Sequence, residues 1–334
     1  MLIESVPNVS EGRRLDVVDR LANRITSVED VFLLDRTSDA SHNRSVFTMA
    51  GEDGPVTDAL ERLLGGAVHE IDMDAHDGEH PRIGAVDVIP FIPLASSSME
   101  DVIELARAFG ERIAMRFELP VYLYARAALR ADRERLADVR RGQYEGLKLE
   151  IEQNGREPDF GPRRMHPSAG AVAVGARPFL IAYNINLDSD DVDLAKRIAR
   201  RVRESGGGLP KLQANGFEVR EPERGHPLRA QVSMNLLDFG VTPLWLVWDA
   251  VRDLAVEDGV RLAESELIGL APQAAFESIA DHVGATDASL DARLAAAANY
   301  IRLRDYSPMQ ILERRLEAAR ESATSISAEP RPGK

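Results

Sequence analysis

Along this 334-residue chain the spacing of apolar residues switches between the strand period and the helix period in the same order twice. That recurrence restricts the fold more than any single motif. In the first pass Leu2 to Val6 reads as a strand, and Leu15, Val18, Leu21 and Ile25 recur at helical spacing. Val31 to Asp35 and Ser45 to Gly51 are β-branched and aromatic runs separated by a polar loop, the pattern of two further strands. Val56, Ala59, Leu60, Leu63 and Leu64 mark a second helix, expected to stop at Gly65-Gly66, and His69 to Met73 supplies a closing strand. The second pass runs through a strand at Phe179 to Leu187 and a helical face at Leu194, Ile198 and Val202. Two strands, Leu212 to Arg220 and Arg229 to Leu237, come next. A helix through Leu244, Val247, Trp248 and Val251 follows, then a strand in Arg261 to Leu270. Each pass is β-α-β-β-α-β, the split βαβ unit of ferredoxin-like folds.

The expected fold is therefore α/β in the α+β sense: two ferredoxin-like βαββαβ subdomains with additional helices and strands. Between the two passes lie a buried strand at Ala85 to Leu94 and a helix over about Met99 to Phe117, with Ser98 and Asp101 as a capping pair. A strand at Pro120 to Ala125, two arginine- and glutamate-rich helices and a long loop reaching Gly170 complete this stretch. Domain boundaries are expected at 1–178 and 179–321, with helices after residue 270. The small, polar residues 322–334 form a tail expected to be disordered.

Composition narrows the function. A net charge of −14, without a long basic block, argues against nucleic acid as a partner. No apolar stretch approaches the length of a membrane span, and the amino terminus lacks the features of a signal peptide. The absence of cysteine removes disulfides, thiolate metal sites and a cysteine nucleophile, and makes a reducing cytoplasm the simplest location.

The densest polar chemistry is in "DAHDGEHPRIGAVDVIPFIP", residues 74–93. His76 and His80, four apart among carboxylates, have the spacing of a helical zinc pair, but Gly78 between them and Pro81 after them oppose a helix, and the order is not H-E-x-x-H. A solvated loop leading into the strand is the plain alternative. Against it, Pro81 would fix the backbone beside His80, and the following strand would support a loop that presents an imidazole for proton transfer near neutrality.

"GEHPRIGAVDVIPFIP" resembles the hallmark segment of the glutamate formimidoyltransferase (formiminotransferase) family, which includes the transferase half of bifunctional formiminotransferase–cyclodeaminases. The resemblance extends over residues 1 to about 316 through "ESVPNVSEGR", "DASHNRSVFT", "LPVYLYARAA", "RRGQYEGL", "PDFGPRRMHPSAGAVAVGARPFLIAYNINL", "QVSMNLLDFGVTPL" and "YSPMQILERRL", in that order. It implies transfer of the formimino group from N-formimino-L-glutamate to tetrahydrofolate as co-substrate, with no metal, in a cytoplasmic homodimer that binds folate between two ferredoxin-like subdomains. No cyclodeaminase half follows residue 334, so a separate cyclodeaminase is expected to act downstream.

Carried over residue by residue, the resemblance makes His80 the catalytic acid–base and Gly161 to Gly170 the folate-binding stretch: Gly161, Pro162, Arg163, Arg164, Met165, His166, Pro167, Ser168, Ala169 and Gly170. Arg163, Arg164 and His166 stand where relatives have small or apolar residues. Asn43 and Arg44 match the family's Asn-Arg pair and, with Arg82, are expected to bind substrate. His42 reads either as a second acid–base group or as a structural loop histidine, and Asn8, Ser10 and Glu11 either cap the first helix or line the cleft. Alternatives within the same fold are an N-formylglutamate or other formimino donor, or a folate-binding protein without transfer activity.

Overall fold

In the first unit, Met1–Pro178, a strand broken at Val6-Pro7 lies near the middle of the sheet. Its two pieces, β1 (Leu2–Ser5) and β2 (Asn8–Val9), pair antiparallel with the same two neighbours, β4 (Arg44–Glu52) and β5 (Val86–Pro93). Pro7 has no N–H to give, yet its carbonyl still accepts from Phe47 at 3.1 Å, so the break bends the strand without ending it. β3 (Val31–Asp39) pairs outside β4, while β7 (Val172–Ala176) lies parallel to β5 and β6 (Val121–Ala125) lies parallel to β7. The computed structural model describes residues 1–221, 225–286 and 289–328.

Period-two alternation divides these strands between two apolar layers. Val86, Ile89, Phe91, Leu123, Val172 and Val174 join the core beneath α1 (Leu15–Thr26), α2 (Asp53–Glu70) and α3 (Met99–Phe117). Val88, Tyr122, Tyr124 and Ala173 pack instead with Val139, Leu147 and Ile151 from the segment holding α4 (Leu136–Val139) and α5 (Gln143–Glu150). Ser98 caps α3 as the sequence predicts, accepting from the Asp101 amide at 3.1 Å. The two arginine- and glutamate-rich helices are short, α4 being a single turn and α5 eight residues.

One predicted strand does not form. His69 and Glu70 belong to the last turn of α2, and residues 71–73 lead into an irregular segment, so β5 closes the first β-α-β-β-α-β order in place of "HEIDM". The reason is Gly66, which does not stop the helix. A Cβ there would come within 2.5 Å of Arg24 Nε and 2.8 Å of Leu21 Cδ2, so the glycine lets α1 and α2 approach closely. β7 lies in the stretch between the loop ending at Gly170 and the strand from Phe179, which the sequence reading left unassigned.

The second unit, Phe179–Lys334, carries β8 (Ile181–Leu187), α6 (Val192–Val202), β9 (Leu212–Glu221), β10 (His226–Leu236), α7 (Leu244–Glu257) and β11 (Leu262–Ile268). Its sheet order is β11-β8-β10-β9, antiparallel throughout. α8 (Gln273–His282), α9 (Leu290–Tyr300) and α10 (Leu312–Ala328) follow. α10 runs into the segment expected to be a disordered tail. Ser322 and Thr324 direct their hydroxyls to the carbonyls of Ala318 and Arg320 four residues back, as such residues do within a continuing helix. Residues 329–334 of that expectation lie outside the described residues. Among the described residues no helix is long and apolar enough to cross a membrane.

Candidate active site

Asn43 occupies the left-handed region at φ 47°, which asparagine tolerates better than most residues, and it closes the turn joining β3 to β4. Its amide then ties three segments together. Oδ1 accepts from the Gly12 amide at 3.0 Å, and Nδ2 donates to the Asp77 carbonyl at 2.9 Å. This knot brings the turn, the residues after β2 and the irregular segment 71–85 around one small pocket. His42, Arg44, His76, His80, Arg82 and Asp87 line it, with Asn8, Val9, Ser10 and Asn43.

The segment carrying His80 has almost no secondary structure but is fastened along its length. Met73 donates to the Ser168 carbonyl at 2.8 Å, and Asp74 accepts from the Tyr144 hydroxyl at 2.6 Å. Ala85 donates to the Ala169 carbonyl at 2.9 Å, and Ala171 donates to the Ile83 carbonyl at 3.0 Å. Gly84 is required at this crossing, because a Cβ would come within 1.9 Å of the Ala171 carbonyl oxygen.

Arg82 is the strongest fastening. Nε donates to His76 Nδ1 at 3.2 Å, Nη1 to Gln143 and Glu145 at 3.2 and 3.1 Å, and Nη2 to the His76 carbonyl and Glu145 at 3.3 and 2.7 Å. These contacts use all five guanidinium N–H groups. Arg82 therefore has no donor left for a substrate carboxylate in this arrangement and acts as a clamp between the His80 segment and α5.

His76 is equally committed. Because its Nδ1 accepts from Arg82, its proton lies on Nε2, which donates to the Asn43 carbonyl at 3.1 Å. Burial lowers its pKa. With both ring nitrogens occupied, His76 cannot join His80 as a metal ligand without dismantling the clamp.

His80 sits in a different field. Burial first, then the guanidiniums of Arg44 and Arg140 and the His42 ring, push its pKa down to about 3. It is therefore a neutral imidazole at physiological pH. Arg140 forms an ion pair with buried Asp87, whose other oxygen accepts from the Ile83 amide at 2.9 Å. Arg44 bonds Asn8 Oδ1, and burial followed by the Arg140 charge lowers its pKa to about 10. The Nε atoms of both arginines are buried without a hydrogen-bond partner. The carboxylates of Asp87 and Asp39 both act on Arg44 in turn.

His42 faces His80 edge-on, with ring centroids 6.2 Å apart and planes at 74°. Asp39 grips it twice, accepting from its backbone amide at 2.8 Å and pairing with Nδ1 at 2.9 Å. These two bonds to His42 hold the Asp39 carboxyl below its usual range. Ser10 and Glu11 settle the remaining alternatives differently. Ser10 donates to the Gly84 carbonyl at 2.8 Å, whereas Glu11 accepts from the Arg13 and Arg14 amides ahead of α1.

Residues 2–177 match the family model for the formiminotransferase domain, N-terminal subdomain, and residues 182–310 match the model for the formiminotransferase domain. The chain belongs to the formiminotransferase family. It is 41% identical over 320 residues to a glutamate formimidoyltransferase of Thermoplasma acidophilum, covering 95% of this chain and 98% of that one. It is also 41% identical over 281 residues to a glutamate formimidoyltransferase of Streptococcus pyogenes, covering 84% and 92%. A formimidoyltransferase-cyclodeaminase of Mus musculus is 43% identical over 277 residues, which are 81% of this chain and 50% of that one.

In this formiminotransferase the stretch from Gly161 to Gly170 has two distinct ends. At Gly161, φ is +85° and a Cβ would meet the Leu119 carbonyl at 2.4 Å. Arg163 and Arg164 are exposed, and Arg164 forms a surface pair with Glu118 at 3.6 Å. At the other end His166 Nδ1 accepts from the Ser168 and Ala169 amides at 3.3 and 3.1 Å, folding Pro167 into a tight turn. Met165 packs on the core, Ser168 Oγ bonds the Val68 carbonyl, and Ala169 and Gly170 lie against the backbone that follows His80. Pro162 is half-buried. None of these ten residues lines the His80 pocket.

The sequence reading missed Asp87, Arg140, Gln143, Glu145 and the Asp39 grip on His42. Asp87 carried one usable signal, a carboxylate in the middle of an otherwise apolar strand.

Proposed function

We propose that this chain transfers the formimino group of N-formimino-L-glutamate to N5 of tetrahydrofolate, releasing L-glutamate and 5-formimidoyltetrahydrofolate. The observation that carries the reading is that His80 and Arg44 line one pocket, with burial and the guanidiniums of Arg44 and Arg140 holding the His80 imidazole uncharged. The donor is an anionic amidine, and the reaction requires a base that is uncharged when the nucleophile arrives.

In this mechanism the N5 lone pair attacks the amidine carbon, and the new C–N5 bond makes N5 acidic. N5 is an arylamine nitrogen, so its protonated form gives up a proton even to a weak base. His80, kept uncharged by burial and by Arg44 and Arg140, accepts it. The tetrahedral adduct then collapses with loss of the glutamate nitrogen. Arg44 is assigned to a donor carboxylate, because this residue lines the pocket beside His80 and carries a guanidinium. Asn43 and Arg82, with their polar groups engaged within the protein, hold the frame in which His80 and Arg44 meet. The Gly161 to Gly170 turn is assigned to the folate. Its exposed arginines offer carboxylate partners at one end, and its His166 to Gly170 end adjoins the backbone leading from His80.

The test is an assay without added metal, in which tetrahydrofolate and N-formiminoglutamate are mixed with the wild-type protein and with His80→Ala. Stoichiometric appearance of 5-formimidoyltetrahydrofolate and glutamate is expected, reduced about 10²- to 10⁴-fold in the variant. Wild-type protein that binds tetrahydrofolate but transfers nothing, or that prefers N-formylglutamate, would overturn the assignment of the donor.

A further inference from the structure

Moving a group from one nitrogen to another requires a proton to leave the attacking nitrogen and another to reach the departing one. His80 accepts the first, and an acid placed across the pocket would deliver the other without His80 having to reach both nitrogens. We propose that His42, held by Asp39, is the second proton-transfer residue and delivers its Nε2 proton to the departing glutamate nitrogen. The inference rests on the formimidoyltransferase reading above and assigns a role that reading leaves open.

Geometry separates His42 from the other histidines near the pocket. His76 has both nitrogens tied to protein groups. His42 lines the same pocket as His80 at 6.2 Å between ring centroids, and Asp39 occupies only its Nδ1. Among the described residues no hydrogen bond engages His42 Nε2, and the side chain is 48% exposed, so that nitrogen is open to a ligand. A carboxylate on Nδ1–H fixes the orientation of the ring and leaves Nε2 as the nitrogen that can reach a ligand. The charged and titratable groups around His42 are few. Asp39 lies on its own turn, Arg44 is on β4, and Arg140 precedes α5. The facing segment supplies His80, Glu79, whose amide meets the Ser41 carbonyl, and Asp77, paired with Arg13 at 3.9 Å. Only Asp39 pairs with His42 directly.

The step balances without another reactant. The C–N5 bond forms and N5 gives its proton to neutral His80. The bond from carbon to the glutamate nitrogen breaks as the His42 imidazolium protonates that nitrogen. His80 is left charged and His42 neutral, and exchange through solvent returns the proton from one to the other.

The test measures kcat and KM for both substrates with full-length wild type, His42→Gln, His42→Ala and Asp39→Asn. For His42→Gln, kcat is expected to fall about 10²- to 10³-fold with both KM values within about threefold of wild type. Added imidazole is expected to restore part of the lost kcat to His42→Ala. Asp39→Asn, which leaves the ring in place but loosens its orientation, should lose about tenfold in kcat. Survival of kcat within about threefold in His42→Gln would overturn the proposal, as would a loss confined to KM. Failure of imidazole to rescue a His42→Ala protein that melts at the wild-type temperature would overturn it as well. Inactive wild type would instead strike the activity reading itself, so the two failures are distinguishable.

Discussion

His80 and Arg82 are two positions apart and have opposite tasks. Arg82 is satisfied in all five of its donors and rigid, whereas His80 is placed where its own charged form is disfavoured. That placement has a cost at low pH. The unfolded chain takes up the His80 proton near the ordinary value of 6.5, and the folded protein only near about 3. Between those values the unfolded state binds more protons, so stability falls as pH drops through the window and is fully present above it. His80→Gln removes this penalty. Its acid-unfolding midpoint is expected to shift to lower pH, with a gain on the order of 1–2 kcal/mol at pH 4 after discounting for the solvent-connected pocket. Acid titration followed by circular dichroism checks this, and an unchanged midpoint would mean that His80 is not held neutral by the fold.

At the scale of elements, α5 matters more for the site than its eight residues suggest. Gln143 and Glu145 clamp Arg82, while Tyr144 and Lys148 hold Asp74 at the other end of the same segment. Glu145→Gln should leave the buried Arg82 charge poorly compensated. The expected loss is about 1–2 kcal/mol, less than for a fully buried pair because Glu145 is 63% exposed. Since the His80 loop would loosen, kcat should fall about tenfold more than this loss of stability alone suggests. Urea unfolding and steady-state kinetics on one preparation separate the two effects, and unchanged kcat would release α5 from this role. Most such elements were legible from apolar period. The exceptions have physical causes. Gly65-Gly66 looks like a helix stop, but Gly66 serves close packing of α1 on α2. β7 is buried on both faces between β5 and β6, so it shows an unbroken apolar run with no alternation to mark it.

For the molecule as a whole, His80, Pro81 and the flanking glycines could be read from local spacing, but the groups that set their behaviour could not. Arg140 lies 53 residues from its partner Asp87, and Glu145 lies 63 from Arg82, separations over which a sequence carries no visible pairing. The same contrast of local and global holds for charge. The chain carries −14 overall, yet the guanidiniums of Arg44 and Arg140 act directly on His80. Anionic folate and formiminoglutamate are thus repelled at long range and attracted at short range. Salt screens the long-range field first, because a Debye length near 10 Å at 0.1 M affects the diffuse surface charge far more than buried guanidiniums in contact with a ligand. Raising monovalent salt from 10 to 150 mM is therefore expected to increase kcat/KM for the donor about two- to threefold, with kcat unchanged. A steady decrease over the same range would mean that the pocket's own cations dominate the approach, and that the acidic surface has no part in the encounter.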